Sequence, residues 1–133
     1  MIVVDTSALI AILDREPDAA LYAEAIAEAD SPLISAATLL ELHIVMLNRH
    51  GGKAAQIVDR LIQDAGFKIE TFTRSAFRAR SPSLCPYGNG KNSAGLNYGD
   101  CFSYALAKAT GSALLFKGED FSETDLLAAL ANT

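Results

Sequence analysis

The sequence predicts an α/β fold in which a mainly parallel sheet lies between two layers of helices. Short apolar runs alternate with segments of helical periodicity along the chain, and strands that alternate with helices usually join as parallel neighbours. The first run, residues 1–4, is apolar and rich in β-branched side chains, which is typical of a strand buried on both faces. A chain of 133 residues, half of them hydrophobic, is large enough for one domain spanning residues 1–133.

The individual elements follow from apolar runs and from the Gly, Pro and Ser residues that end them. Predicted strands cover residues 1–4, 33–35, 67–72 and 112–116. Predicted helices cover residues 8–13, 17–30, 36–50, 53–65 and 99–110, with a further helix start at 73–79 and a last segment at 121–132. Residues 81–95 are rich in Pro, Gly, Ser and Asn and form the one long predicted loop, a kind of segment that is often functional.

Helix boundaries and buried faces come from local signals. Pro17 suits the first turn of a helix, and Gly51 ends the helix at 36–50. Apolar spacing predicts an inward stripe on helix 17–30 and another on helix 53–65. The predicted inward residues are Leu21, Ala25 and Ala29 on the first, and Ala54, Ile57, Leu61 and Ile62 on the second. Helix 36–50 is apolar nearly all round, which favours burial or an interface.

Charge is distributed unevenly along the chain. The net charge of −5 argues weakly against nucleic-acid binding, yet residues 71–99 contain no Asp or Glu and carry +4, which leaves −9 for the remainder. The basic residues of this segment are Arg74, Arg78, Arg80 and Lys91. A basic segment on an acidic domain is compatible with a polyanion held by one arm, and a solvated loop flank explains the charges equally well.

The remaining composition indicates a cytoplasmic protein. The N-terminus has no basic region and reaches Asp5 at once, so no signal peptide is expected, and the next apolar run is too short for a membrane span. Cys85 and Cys101 lack metal-type spacing and are too few for a disulfide framework. We expect Cys101 to be a small buried side chain and Cys85 a loop thiol.

Two acidic residues, Asp5 and Glu41, lie at positions where a carboxylate could have a functional role. Asp5 follows the first strand, at the edge where open α/β sheets bind ligands, and helix capping assisted by Thr6 or Ser7 is its alternative role. Glu41 lies among apolar neighbours on helix 36–50, and a buried carboxylate needs a counter-ion or a metal. The alternative for Glu41 is a side chain that extends into solvent at the rim.

Two further acids lie at the same predicted edge. Asp100 opens a helix three residues after Asn97, a spacing that also fits a capping box. Asp120 follows the fourth strand, where ordinary turn chemistry is the alternative and where Glu119 competes for the functional role. Each acid therefore has a structural explanation of its own.

In a parallel sheet, all four acids can converge on one edge. Carboxylates gathered there repel one another unless cations compensate them, and oxygen ligands select hard ions such as Mg²⁺ or Mn²⁺. A metal ion held in this way turns bound water into a nucleophile and stabilises charge on phosphorus. The acids Asp5, Glu41, Asp100 and Asp120 therefore predict phosphodiester hydrolysis without a side-chain nucleophile.

Three stretches resemble the PIN-domain ribonucleases, specifically the VapC-type toxins of bacterial toxin–antitoxin pairs. They are MIVVDTSAL, the TLLEL stretch that carries Glu41, and LNYGDCFSYALAKATGSALLFKGEDFSETDL. The resemblance spans essentially the whole chain, and its last block is the most specific part. It implies that the four acids are catalytic and hold Mg²⁺ or Mn²⁺, that Thr6 or Ser7 supports the metal, and that Asn97 orients the site.

The resemblance also carries expectations about architecture and partners. It implies a three-layer α/β/α PIN domain with about five strands, a homodimer or a larger toxin–antitoxin assembly, and a VapB-like antitoxin that blocks the site. It implies cleavage of tRNA or another structured RNA. Relatives often carry a Gly-Lys-Gly-Arg-His-Pro-like run where this chain has Gly-Asn-Gly-Lys-Asn-Ser at residues 88–93. We expect the basic residues Arg74, Arg78, Arg80 and Lys91 to compensate as an RNA-positioning arm.

Other residues and rival functions stay open. Lys117 could contact a phosphate, which we favour, or cap a strand end. His43 and His50 favour a surface or interface role over metal ligation. The rival functions are a non-catalytic dimeric binding module and a Mg²⁺-dependent phosphatase with an aspartate nucleophile. Such phosphatases usually have a second aspartate two residues after the first, where this chain has Ser7.

Overall fold

The computed structural model describes residues 1–71 and 98–130. The strands are β1 (Ile2–Val4), β2 (Leu33–Ser35), β3 (Lys68–Glu70) and β4 (Ala113–Leu115). The helices are α1 (Thr6–Leu13), α2 (Ala19–Glu28), α3 (Ala36–His50), α4 (Ala54–Asp64) and α5 (Tyr98–Thr110), with a 3-10 turn at Gly51–Lys53. Among these residues, no helix combines the length and the apolar composition needed to cross a bilayer. The predicted helix start at 73–79 and the predicted loop at 81–95 lie outside the described residues.

The four strands form one parallel sheet in the order β3-β2-β1-β4. Val3 of β1 is in register with Leu33 of β2 on one side and with Leu114 of β4 on the other. A single parallel bridge joins Leu114 to Ala128, on the outer side of β4. The predicted parallel sheet is confirmed, with four strands in the described part of the chain and the bridge at Ala128 where a fifth would lie.

Helices cover both faces of this sheet, because consecutive strand residues point to opposite sides. Val4 and Leu115 pack in a hydrophobic cluster with residues of α1, α2, α3 and α4. Their neighbours Val3 and Leu114 pack in a second cluster with residues of α5. The predicted three-layer α/β/α arrangement is therefore confirmed.

The predicted inward stripes of two helices are confirmed in part. The buried or partly buried members that pack in the core are Ala25, Ala54, Leu61 and Ile62, whereas the prediction is wrong at Leu21 and Ile57. On α2, Tyr22 and Ile26 are buried, whereas Leu21 is 51% exposed. On α4, Val58 is fully buried, whereas the neighbouring Ile57 is 39% exposed. Both helices carry two adjacent apolar stripes, so helical spacing alone does not decide which stripe faces the sheet. The packing of each helix against the rest of the fold determines which apolar residues are buried.

Helix α3 buries one apolar face and exposes another. Leu42 and Met46 are at most 1% exposed. On the outer side Leu40, Ile44 and Leu47 are 61%, 52% and 55% exposed, and we call these three residues the α3 apolar stripe. The sequence of α3 is apolar nearly all round because the helix has apolar residues on its buried face and also on its exposed face.

The difference between buried and exposed leucines can be measured directly. Leu42→Ala is expected to lower the free energy of unfolding by about 2–5 kcal/mol, because it removes a fully buried side chain and leaves a cavity. Leu21→Ala, the same change at a half-exposed helical position, is expected to cost less than about 1 kcal/mol. Urea unfolding followed by circular dichroism measures both, and equal losses would contradict the assigned faces.

Candidate functional site

Asp5 stands at the point where β1 ends and α1 begins. Its backbone N–H donates to Leu115 O at 2.9 Å, so the residue is held beside β4 at the carboxyl edge of the sheet. Its backbone is extended, and its carboxylate accepts a hydrogen bond from Ser7 N, which makes it the N-cap of α1. The capping role considered for Asp5 is therefore present, and it leaves the side chain at the predicted edge.

Asp5 is only 4% exposed, and its carboxylate accepts three hydrogen bonds. Oδ2 accepts from Ser7 N at 3.1 Å and from Ser7 Oγ at 2.7 Å. Oδ1 accepts from Ser103 Oγ of α5 at 2.6 Å. In the described part of the chain, Asp5 has no ion-pair partner, so hydroxyl and amide groups alone stabilise its negative charge.

Glu41 reaches the same edge from α3. This helix begins directly after β2, where Ser35 Oγ caps it by accepting from Ala37 N. One helical turn and a half further on, the partly buried Glu41 accepts a 2.6 Å hydrogen bond at Oε1 from Thr6 Oγ1. Because Thr6 follows Asp5 directly, this bond links the two acids through adjacent residues of the chain. A hydroxyl donor thus satisfies the carboxylate that the sequence placed among apolar neighbours.

Asp100 lies in the first turn of α5 and is partly buried. It is one helical turn before Ser103, so both side chains share one side of the helix. Asn97, the proposed capping partner of Asp100, lies outside the described residues. So do the proposed RNA-binding residues Arg74, Arg78, Arg80 and Lys91.

Asp120 and its neighbour Glu119 are exposed, in a turn that follows β4. The turn begins at Gly118, whose φ of 97° is in the region that favours glycine. Within residues 1–71 and 98–130, no three Asp, Glu, His or Cys side chains form a preassembled metal-binding group. The fold thus brings Asp5, Glu41 and the helix of Asp100 to the carboxyl edge of the sheet. In the described residues, these acids and Asp120 are not close enough together to form a preassembled metal-binding group.

Lys117 ties the segment between α1 and α2 to this edge. Its backbone N–H donates to Ser7 Oγ at 3.0 Å. Its Nζ donates to Glu16 Oε1 at 2.8 Å and to Asp18 Oδ1 at 2.9 Å. The hydrogen bonds to Glu16 and then to Asp18 raise the pKa of Lys117, and the bond from Lys117 is the main cause that lowers the pKa of Asp18. The predicted phosphate contact of Lys117 stays a prediction, since two carboxylates bind its ammonium group.

Sequence reasoning missed two buried hydroxyls, Ser103 and Thr38, which are 0% and 2% exposed. Thr38 Oγ1 lies 3.3 Å from Ser103 Oγ, so the two hydroxyls and Asp5 form one chain of contacts. A signal was present in the sequence, because Ser103 directly precedes the apolar run Tyr104 to Ala107, which α5 buries. A small polar residue at such a position usually has a specific partner.

The remaining candidates have structural partners. His43 Nε2 lies 3.5 Å from Asp59 Oδ1 and His50 Nε2 lies 2.9 Å from Asp14 Oδ1, in line with the surface role predicted for both. Cys101 was expected to be a small buried side chain, and this expectation is wrong: the residue is partly buried and disulfide-bonded. Disulfide formation depends on the distance between Cβ atoms, which sequence does not give. Cys85 lies outside the described residues.

Comparison with known proteins gives a consistent result. The family model of the PIN domain matches residues 2–127. Ribonuclease VapC28 of Mycobacterium tuberculosis is 44% identical over 129 residues, which cover 96% of this chain and 97% of the relative. The chain therefore belongs to the PIN-domain family and is a VapC-type member of it.

Solved structures support the same fold. The crystal structure of Mycobacterium tuberculosis VapC20, described as a sarcin–ricin loop cleaving toxin, aligns with a TM-score of 0.75 at 18% identity and covers 96% of this chain and 97% of its own. VapBC2 from Rickettsia felis, bound to a DNA fragment from their promoter, aligns with a TM-score of 0.67 at 17% identity, and the alignment covers 96% of each chain. At these identities the likeness concerns the fold.

The ion pairs of Lys117 with Glu16 and Asp18 predict that the stability of the fold depends on pH. The pKa of Asp18 is lower in the folded protein than its ordinary value of 3.8, so its contribution is present above that value and is lost as the pH falls through the lowered pKa. Lys117 has a raised pKa, so its own contribution is lost only as the pH rises above 10.5, its ordinary value. Asp18→Asn is therefore expected to lower Tm at about pH 7 and to match wild type near about pH 2.

Thermal unfolding across this pH range measures the difference, with Glu24→Gln as the control for an exposed carboxylate on α2. A Tm difference between Asp18→Asn and wild type that stays constant down to the lowest pH would contradict the assigned ion pair.

Proposed function

We propose that the chain is a metal-dependent endoribonuclease of the toxin type, which hydrolyses phosphodiester bonds of tRNA or another structured RNA in the cytoplasm. Support comes from the PIN family model, which matches residues 2–127, and from relatives that are named ribonucleases. The structural observation that carries the proposal is the hydrogen bond from Thr6 to Glu41, directly beside Asp5. It links two of the four acids at the edge where α/β sheets bind their ligands.

The chemistry of the donors fits a hard divalent cation. Carboxylate and hydroxyl oxygens are the ligands that Mg²⁺ and Mn²⁺ prefer, and PIN-domain ribonucleases generally depend on divalent metal ions. The residues that would hold the ion are Asp5, Glu41, Asp100 and Asp120. A divalent cation offsets the repulsion between carboxylates, and when bound it supplies an activated water and stabilises charge on the phosphate.

The residues of the chain have distinct parts in this proposal. Asp5 is a fixed acceptor, since three hydrogen bonds and its place between β1 and α1 determine its orientation. Thr6 orients Glu41. Ser7 is an orienting group rather than a nucleophile, because its Oγ both donates to Asp5 and accepts from Lys117 N. Asp120, with Glu119 as the alternative, is exposed and able to move toward the ion and the RNA.

Removal of the metal or of one acid is expected to abolish cleavage. With purified protein and a mixed tRNA pool, we expect discrete fragments in Mn²⁺ or Mg²⁺ and none in EDTA. Asp100→Asn is expected to lower the rate by roughly 100-fold or more, because charge stabilisation by a metal contributes several kcal/mol. Asp64→Asn makes the same change at an exposed position near the end of α4 and is expected to cleave like wild type.

The same experiment separates the rival functions. Cleavage that survives EDTA, or that is equally reduced in Asp64→Asn, would contradict the proposal. A folded, metal-loaded protein that cleaves no RNA would favour the non-catalytic binding module. A phospho-aspartate trapped at Asp5 would favour the phosphatase, whose second aspartate is absent because Ser7 occupies that position.

The proposed partners are an antitoxin and a second copy of the chain. The antitoxin is proposed from the Rickettsia felis VapBC2 structure, which aligns with 96% of this chain. For the homodimer, the α3 apolar stripe offers exposed leucine and isoleucine side chains on one helix, and exposed apolar patches often mark protein interfaces. The role of the basic residues of segment 71–99 as an RNA arm stays a prediction.

A charge placed in the α3 apolar stripe is expected to separate the dimer. Ile44→Asp puts a carboxylate at a position that is 52% exposed in the monomer, where a partner would bury it at a cost of several kcal/mol. Sedimentation velocity is expected to show monomers for this variant. Ile57→Asp, an equivalent change on α4, is expected to sediment like wild type. Equal sedimentation of Ile44→Asp and wild type as dimers would contradict an interface at this stripe.

A further inference from the structure

A pair of buried hydroxyl groups lies behind the carboxylate of Asp5. Ser103 Oγ of α5 contacts Asp5 Oδ1 at 2.6 Å, and Thr38 Oγ1 of α3 lies 3.3 Å from Ser103 Oγ. The two side chains are 0% and 2% exposed. Ser103 is 98 positions from Asp5 and 65 positions from Thr38 in the sequence, yet the three side chains form one buried chain of polar contacts.

The direction of the hydrogen bonds follows from the acceptors present. Ser103 has one proton, and of its two neighbours the ionised carboxylate of Asp5 is the stronger acceptor. The 2.6 Å separation agrees, since O–H···O⁻ bonds are shorter than neutral ones. Thr38 therefore donates to Ser103, and Ser103 donates to Asp5. Each hydroxyl that accepts one bond and donates another strengthens the next bond in the chain.

The carboxylate of Asp5 has few acceptor positions left for a further ligand. A carboxylate offers about four lone-pair positions, two on each oxygen. Ser7 N and Ser7 Oγ occupy both positions on Oδ2 of Asp5, and Ser103 occupies one on Oδ1. Among the contacts of the described residues, one position on Oδ1 remains. Any ligand of Asp5 would therefore bind the oxygen atom that Ser103 also holds.

We propose that Ser103 is a positioning residue of the metal site, which together with Thr38 fixes Oδ1 of Asp5 for a divalent cation. The proposal rests on the metal-dependent function proposed above. Its basis is the 2.6 Å contact at Oδ1, the full burial of Ser103 and the occupied positions on Oδ2. Groups that orient metal ligands in this way typically change metal affinity by about 10–100-fold when they are removed.

The same two hydroxyls connect the helices that carry the other acids. Thr38 lies one helical turn before Glu41 on α3, and Ser103 lies one turn after Asp100 on α5, so each pair shares one side of its helix. The contact between Thr38 and Ser103 therefore joins α3 to α5 directly behind the two acids. Loss of the Ser103 hydroxyl removes the hydrogen bond to Oδ1 of Asp5, and we expect the orientation of this carboxylate to become less fixed.

The test measures Mn²⁺ affinity by isothermal titration calorimetry, together with Tm and RNA cleavage. Ser103→Ala is expected to weaken Mn²⁺ binding by about tenfold, and cleavage is expected to recover toward the wild-type rate at saturating Mn²⁺. Ser112→Ala is the matched control, because Ser112 is also buried and its hydroxyl pairs with Thr110 at 2.7 Å, away from Asp5. It is expected to bind Mn²⁺ like wild type.

Two further variants keep the test decisive. Ser103→Thr retains the hydroxyl and is expected to restore affinity, and Thr38→Val removes the outer donor with little change in shape and is expected to weaken binding by about threefold. If Ser103→Ala does not fold, Thr38→Val provides the same comparison. Wild-type Mn²⁺ affinity in Ser103→Ala and Thr38→Val, whatever their Tm, would overturn this inference alone. Absence of Mn²⁺ binding and of RNA cleavage in wild type would overturn the proposed function, and this inference with it.

Discussion

The hydrogen bonds around the carboxylate of Asp5 hold together the carboxyl edge of the sheet. The backbone of Asp5 continues the pairing of β1 with β4, its Oδ2 begins α1, and its Oδ1 receives the hydroxyl of Ser103 from α5. A carboxylate that is 4% exposed would strongly destabilise the fold without such donors. Asp5 therefore links two strands and two helices, the strands through its backbone and the helices through its carboxylate.

Neither Asp5 nor Glu41 has an ion-pair partner among the described residues. Lys117 follows β4, and its ammonium group binds Glu16 and Asp18 on the segment between α1 and α2. Hydroxyls serve Asp5 and Glu41 instead. Hydroxyl donors stabilise a carboxylate without neutralising it, so Asp5 and Glu41 keep the negative charge that the proposed cation would balance. An ammonium group beside Asp5 would neutralise this charge and would compete with a metal ion for the same oxygen atoms.

Local signals in the sequence predicted most of the fold and part of the site. The parallel sheet, the five described helices and the capping position of Asp5 follow from apolar runs, helix caps and strand ends, which are properties of neighbouring residues. The predicted inward stripes of α2 and α4 were wrong at Leu21 and Ile57, which are exposed, because helical spacing alone does not decide which of two adjacent apolar residues faces the sheet. The contact of Ser103 with Asp5 could not be predicted, since 98 residues separate them and no local pattern encodes that approach. The role of Asp120 stays a prediction for a related reason: the side chain is exposed and no contact in the described residues determines its direction.

The edge consists of a rigid part and an open part, and this division has a chemical consequence. Asp5, Ser103 and Thr38 are buried and hydrogen-bonded, whereas Glu119 and Asp120 are exposed in the turn after Gly118. Ligands held by a supporting shell determine where an ion binds, since they cannot move to follow it. Exposed carboxylates can adjust to an ion whose position is already set, at the cost of some side-chain entropy. The buried hydroxyls therefore have two roles that a purely apolar core could not combine: they stabilise the fold around Asp5, and they leave one of its oxygen atoms in a fixed orientation for a ligand.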